Sequence, residues 1–270
     1  MLSSTIARTA SSRGERTVNA DAVASSPDPR TGRVRYALAD GVGDDLGAAR
    51  AARLAAAAAV RSGLGAVEAV LAAQAAVRGA GSGDCVLVVA VPDADGYDIA
   101  WVGDARAYAW TAGGLRALTT DHTLAQYFRD HGTPVTPRME HLVTTSVRTV
   151  EPHRVGTARV GEPASLLLTS DGVHKALGDA VMAQLLRYSA DAATALVEAA
   201  TAAGTSDNAT ALVVHCAERP TTTLPDRAPD LSTAALPVPT VPVATLPVAT
   251  PPVATPPIAT LPVATVPMAA

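Results

Sequence analysis

The sequence predicts an α+β fold, antiparallel sheets with helices grouped around them, on three observations. Apolar runs of strand length recur through residues 1–217, short turns join several of them, and Ala-rich helical patterns lie between and after them. The turns decide the strand direction. Asp93-Ala94-Asp95-Gly96 and Ala112-Gly113-Gly114 are hairpin-grade connections, whereas a parallel pair needs a crossover of about a dozen residues or more.

In order, the strand-like runs are Val34 to Ala39, Cys85 to Val91, Tyr97 to Val102, Arg106 to Trp110, Ser165 to Thr169 and Ala211 to Cys216. Helical patterns run from Leu46 to Arg61, Ala66 to Arg78, Leu124 to His131, Ala180 to Tyr188 and Ala190 to Ala203, and their alanine content raises helix propensity. Only Ser62-Gly63-Leu64-Gly65 separates the two long helices, so they are expected to form an antiparallel pair on a sheet.

Composition narrows the function. The chain is 48% hydrophobic and 17% charged with a net charge of −4, which supplies a core and no basic excess for nucleic acid. Met1 to Arg16 lacks the continuous apolar segment of a signal peptide, and no uninterrupted helix-compatible span is long enough to cross a bilayer. The expectation is a soluble cytoplasmic protein without nucleic-acid or membrane partners. Cys85 and Cys216 both sit in apolar strand-like runs, as small buried thiols do, and carry no disulfide or metal role.

After Ala217 the character changes. Leu236 to Ala270 is seven pentapeptides of the Leu-Pro-Val-Ala-Thr type, and no charge follows Asp230. Proline every fifth residue removes backbone donors and clashes with helix or central strand, so residues 218–270 are expected to be a disordered, extended Pro-rich spacer. A Pro-binding partner for this tail and modification of its threonines are the sharper readings.

The chemistry is expected where apolar strands close on aspartate. Tyr36-Ala37-Leu38-Ala39-Asp40-Gly41 is the first instance, with Gly41 expected to permit a turn that aims a carbonyl at the same spot as the carboxylate. Asp-Gly alone is a common turn signal, but the device recurs at Asp104 and at Asp171, while Asp207 and Asp21 each precede an apolar run. Gathered at one rim, such carboxylates repel one another unless cations neutralise them. Oxygen donors without Cys-x-x-Cys or His-x-x-x-His spacing suit Mg2+ or Mn2+ and not zinc. His122, His131 and His141 fall in one polar stretch and read as ordinary histidines.

Six segments in order resemble the metal-dependent protein phosphatases of the PPM, protein phosphatase 2C type. They are Arg16-Thr17-Val18-Asn19-Ala20-Asp21, Leu38-Ala39-Asp40-Gly41-Val42-Gly43, Val102-Gly103-Asp104-Ala105-Arg106-Ala107-Tyr108, Leu118-Thr119-Thr120-Asp121-His122-Thr123, Leu168-Thr169-Ser170-Asp171-Gly172 and Ser206-Asp207-Asn208-Ala209-Thr210. The resemblance spans residues 5–216. It implies a four-layer α-β-β-α sandwich and a serine/threonine phosphatase that hydrolyses phosphoproteins with Mn2+ or Mg2+ through a metal-bridged hydroxide. By position it implies that Asp40 bridges two metals, with the Gly41 carbonyl on one and Asp171 and Asp207 on the other, and that Asp104 serves a third. Asp21 would hold metal-bound water and Arg16 would bind substrate phosphate, which suits the guanidinium fork.

Three departures stand out. Ala20 replaces a family glutamate. Asp44 and Asp45 follow Gly43 where the family commonly has Gly and often His; they are expected mainly to cap the Leu46 helix. Val42 occupies the position of a proposed general-acid histidine and cannot donate a proton, so a metal-bound water is the default acid. Asp121 to Val150 matches a mobile substrate-facing flap, and its turn-forming composition equally suits an ordinary surface loop. Ala20 with Asp44 and Asp45 also motivates the alternative of a pseudophosphatase that binds phosphoproteins without turnover.

Overall fold

The computed structural model describes residues 6–161 and 164–215. Cys216 and the expected tail at 218–270 lie outside the described residues.

Two five-stranded antiparallel sheets form the centre. One runs in the order β1 (Ile6–Ser12), β10 (Ala209–His215), β9 (Ser165–Thr169), β6 (Arg106–Thr111), β7 (Gly114–Ala117). The other runs β2 (Asp21–Pro27), β3 (Val34–Gly41), β4 (Cys85–Asp93), β5 (Gly96–Val102), β8 (Gly156–Gly161). Both expected hairpins are present, with Asp93 opposite Gly96 and Thr111 opposite Gly114.

The side-chain period of two sorts each strand between layers. On β3, Tyr36 and Leu38 enter the core between the sheets with Val88, Ile99, Ala107, Leu168 and Leu212, whereas Ala37 and Ala39 face outward. That outer face packs on α1 (Leu46–Arg61) and α2 (Ala66–Gly79), whose buried stripe is mostly alanine. The outer face of the other sheet, including Leu167, Ala211 and Val213, packs on α5 (Asp179–Tyr188) and α6 (Ala192–Ala202). The result is the expected α-β-β-α sandwich. α3 (Leu124–Asp130) and the short α4 (Asp171–His174) complete the α-helices among the described residues, and two 3-10 turns lie at Pro137–His141 and Pro152–Arg154.

Two sequence readings are corrected. β1, β2, β7 and β8 were not anticipated as full strands; all four are sheet edges, and their polar or short sequences lack the apolar run that marks a strand buried on both faces. Gly41 does not make a turn. It is the last residue of β3, and a Cβ there would lie 2.7 Å from the Ala48 carbonyl oxygen and 2.9 Å from the Ala20 Cβ, so glycine is required by the close approach of α1.

The outer face of β3 also carries Arg35, 1% exposed. Its Nε donates to Asp28 Oδ2 at 2.6 Å, its Nη1 to Ser62 Oγ at 3.2 Å and its Nη2 to the Leu64 carbonyl at 2.5 Å. Asp28 is fully buried at the β2–β3 turn and accepts from the Arg30 and Thr31 amides at 2.8 and 3.0 Å. Burial pushes its carboxyl up, but the Arg35 hydrogen bond and then those amides outweigh burial and hold it at about 2. This cluster clamps the β2–β3 hairpin to the α1–α2 connection.

Candidate metal and phosphate site

Period-two alternation that places Leu38 between the sheets places Asp40 on the same face at the end of β3. Asp21 is directly opposite it across the β2–β3 ladder, on the face of Val23. The remaining aspartates lie just beyond strand ends of both sheets. Asp104 follows β5, Asp171 follows β9 and Asp207 precedes β10. Asp40, Gly41, Asp104, Asp171, Asp207 and Arg16 line one cleft of about 580 Å³, together with Val42, Gly43, His141, Val143 and Lys175. Asp21 flanks Asp40 and is not part of the cleft lining.

The glycines beside these aspartates allow the approach. At Gly103, φ is +89° and a Cβ would strike the Val86 side chain at 2.0 Å; at Gly172 a Cβ would meet the Asn208 carbonyl oxygen at 2.1 Å. Neither position can carry a side chain without moving the carboxylate next to it.

Crowding of like charge is evident. Burial first, then the charges of Asp21, Asp171, Asp104 and Asp207, push the Asp40 carboxyl well above the usual carboxylate range. Asp21 is pushed up to about 7, chiefly by burial, although the hydroxyls of Thr210 and then Ser170 oppose the shift, Ser170 Oγ donating to its Oδ2 at 2.8 Å. Its Oδ1 is buried without a hydrogen-bond partner.

Two internal cations answer part of that charge. Lys175 Nζ donates to Asp104 Oδ2 at 2.6 Å, Asp171 Oδ2 at 2.9 Å and the Glu140 carbonyl at 2.9 Å. Burial opposes its charge, but Asp171 and then Asp104 keep the ammonium protonated above its ordinary range. Arg16 Nη2 donates to Asp207 Oδ2 at 2.6 Å. Among the described residues, no three His, Cys, Asp or Glu side chains close into a metal-holding group. The lysine and arginine hold some of the same carboxylate oxygens instead.

The donor set still fits a pair of hard cations. It is all oxygen, Asp40 is charged only at a cost, and Asp21 Oδ1 lacks a partner in a buried position. Beside Asp104, the Lys175 ammonium already donates to Oδ2 at 2.6 Å.

The departures also acquire reasons. Ala20 is 1% exposed and packs on Ala48, Ala49 and Val18 in an apolar cluster. Its amide donates to Asn208 Oδ1 at 2.8 Å, and Asn208 Nδ2 donates to the Arg13 and Val18 carbonyls, which fixes the segment carrying Arg16. Asp45 is the α1 N-cap, accepting from the Ala48 amide at 2.9 Å. Asp44 is no cap. It accepts from the Thr17 and Val18 amides at 2.9 and 3.1 Å and anchors the same segment.

The 121–150 segment holds α3 and reaches the cleft through His141, Val143 and the Glu140 carbonyl. At its far end Asp84 accepts from Ser146 Oγ and the Arg148 amide at 2.6 and 3.0 Å. Sequence reading missed Lys175 and Asp84, and took His141 for an ordinary histidine. Lys175 falls four residues after Asp171, so a helical turn places it beside that carboxylate, a signal present in the sequence. His141 gave none, because the fold of the segment alone brings it within 3.9 Å of Asp171.

Solved structures match this fold. The catalytic domain of the serine/threonine protein phosphatase PstP, in complex with two manganese ions, is 26% identical, with 80% of this chain and 100% of that one covered at a TM-score of 0.64. The PPM Ser-Thr phosphatase MsPP from Mycobacterium smegmatis is 27% identical over 78% of this chain and 98% of its own, at 0.63. The chain has the fold of the PPM-type phosphatases. The PPM-type fold extends to an S. agalactiae serine/threonine phosphatase, 19% identical at a TM-score of 0.69 over 79% of this chain and 100% of that one. No family model and no curated protein matches the chain. Among the described residues, no helix of this PPM-type domain is long and apolar enough to cross a membrane.

The crowded pair gives a pH-dependent expectation for the metal-free domain. Asp21 has an ordinary value of 3.8 and a folded value of about 7, so between these the folded chain holds a proton that the unfolded chain releases. Stability therefore falls as pH rises from roughly 4 to 7, and the full penalty remains above that window. Asp21→Asn keeps an acceptor for Ser170 and removes the charge. In chelator at pH 8 its Tm is expected roughly 3–6 °C above wild type, with the gap closing near pH 4. Thermal melts across that range check this, and an equal or lower Tm at pH 8 rejects it.

Proposed function

We propose that the protein is a metal-dependent serine/threonine protein phosphatase that hydrolyses phosphomonoesters on proteins, with Mn2+ or Mg2+ as cofactor. The observation that carries this reading is the convergence of Asp40, Asp171, Asp207 and Arg16 on one cleft at the ends of two sheets, in a fold shared with PstP, whose structure holds two manganese ions. Asp40, the Gly41 carbonyl, Asp171 and Asp207 would hold a pair of ions. Bound there, such ions would activate water for attack on phosphorus and neutralise charge on the phosphoryl oxygens.

The chain's own residues do the rest. Arg16, at the cleft edge, offers a guanidinium fork to phosphate oxygens, and its segment is held by Asp44 and Asn208. Asp21 lies beside Asp40 across the β2–β3 ladder and adds a second carboxylate at that end of the sheet. Val42, half exposed in the cleft, contributes apolar surface and no proton.

The pseudophosphatase reading loses its motive, since Ala20 packs in an apolar cluster and Asp44 and Asp45 have separate structural partners. A role for the Pro-rich tail in meeting a partner, and residence in the cytoplasm, remain proposals from the sequence.

Hydrolysis of a phosphothreonine peptide across a Mn2+ titration, with excess chelator as blank, tests the function. Turnover is expected to rise with Mn2+ and vanish with chelator. A folded protein that binds the peptide and turns over none of it at any Mn2+ concentration overturns the proposal in favour of a binding module.

A further inference from the structure

Lys175 sits where the carboxylates of the cleft would otherwise face one another. Its side chain is 17% exposed. The three protons of its ammonium find three oxygens, Asp104 Oδ2 at 2.6 Å, Asp171 Oδ2 at 2.9 Å and the Glu140 carbonyl at 2.9 Å. Two carboxylates and a backbone carbonyl are the donors a hard divalent cation takes. The lysine is also fixed from below, because its amide donates to the Asp171 carbonyl at 2.9 Å in the turn that follows β9.

We propose that the Lys175 ammonium is a resident cation between Asp104 and Asp171, so that this chain loads two metal ions and Asp104 serves the lysine instead of a third ion. The inference rests on the two-metal phosphatase reading and departs from the third-metal role that resemblance assigns to Asp104. Tethering makes the exchange unfavourable for an incoming ion. A free ion must displace a satisfied, partly buried pair and strand the lysine charge nearby, whereas the lysine is already in place without loss of translational freedom. Lys175 engages one oxygen of Asp171, Oδ2, and so leaves the other available to the metal pair. Through the Glu140 carbonyl the same ammonium ties the 121–150 segment to the metal end of the sheets, a link that a solvated ion would not hold covalently to α4.

The test counts metal and does not need activity. The full chain is equilibrated with saturating Mn2+ and the bound manganese per chain is measured by elemental analysis, with folding checked by circular dichroism. Wild type is expected to hold two ions, Lys175→Asp three, and Asp104→Asn two. Three ions on wild type overturn the proposal, as do two ions on a folded Lys175→Asp protein. If Lys175→Asp does not fold, Asp104→Asn decides: two ions support the lysine role, and a fall to one shows that Asp104 is a metal ligand. A wild-type chain that binds no manganese overturns the metal-phosphatase reading itself, and the inference with it.

Discussion

Asp40→Asn is expected to lower Mn2+-dependent phosphatase activity on the order of a thousandfold or more, since removing even one preorganised electrostatic contact costs roughly a hundred- to a thousandfold. The metal-free variant is expected to be no less stable than wild type at pH 7. Asp40 is pushed up by burial and by Asp21, Asp171, Asp104 and Asp207, so the folded chain resists ionising it. A raised folded value means stability that is present below the unfolded pKa and lost as pH rises, and the amide removes that loss. Activity and stability should therefore move in opposite directions. That dissociation separates a metal-binding role from a structural one, because a merely structural aspartate would take both down together. Retained activity in Asp40→Asn, measured at saturating Mn2+, rejects the site assignment.

Asp28→Ala, far from the cleft, is expected to be the most destabilising single substitution among the polar residues discussed. It strands the Arg35 guanidinium at 1% exposure, with only Ser62 and Leu64 left as partners. Breaking one side of a buried pair costs about 3–5 kcal/mol, so Tm should fall by roughly 10 °C. The double variant Asp28→Ala with Arg35→Met removes the stranded charge and is expected to recover part of that loss. Thermal melts of wild type, Asp28→Ala, Arg35→Met and the double variant check the cycle, and strictly additive losses would show that the two groups do not act as a pair. Because the Asp28 carboxyl is held at about 2, its contribution is present above the ordinary value of 3.8 and disappears as pH falls through about 2. Asp28 and Asp21 thus give opposite pH slopes within one hairpin, one serving the scaffold and the other the site.

What could be read from the chain follows burial. The six strands buried at the sheet centres announce themselves as apolar runs, and Ser165–Thr169 matches to the residue. The four edge strands do not, because a strand such as Ile6-Ala7-Arg8-Thr9-Ala10-Ser11-Ser12, with mostly exposed or half-exposed residues, satisfies only one neighbour and carries no periodic apolar face. The helices were legible through alanine content: Leu46–Arg61 matches to the residue, Ala66–Gly79 runs one residue past the expected end, and the last helix, capped by Asp191, begins two residues after its expected start.

At the site, the sequence by itself determined the chemical inventory: aspartates at the ends of apolar strands, glycines beside them and an arginine upstream. Local rules suffice there, since a strand that ends on Asp-Gly carries its carboxylate wherever the strand goes. Only the tertiary structure decided which charges meet. The antiparallel register sets Asp21 opposite Asp40, the α1 packing explains Gly41 and Ala20, and the turn after β9 delivers Lys175 between Asp104 and Asp171. Apart from the local Asp171–Lys175 turn, these are contacts between different elements of the fold. Coulomb energies depend on distances of a few Å and on burial, and neither exists until the two sheets have closed on each other.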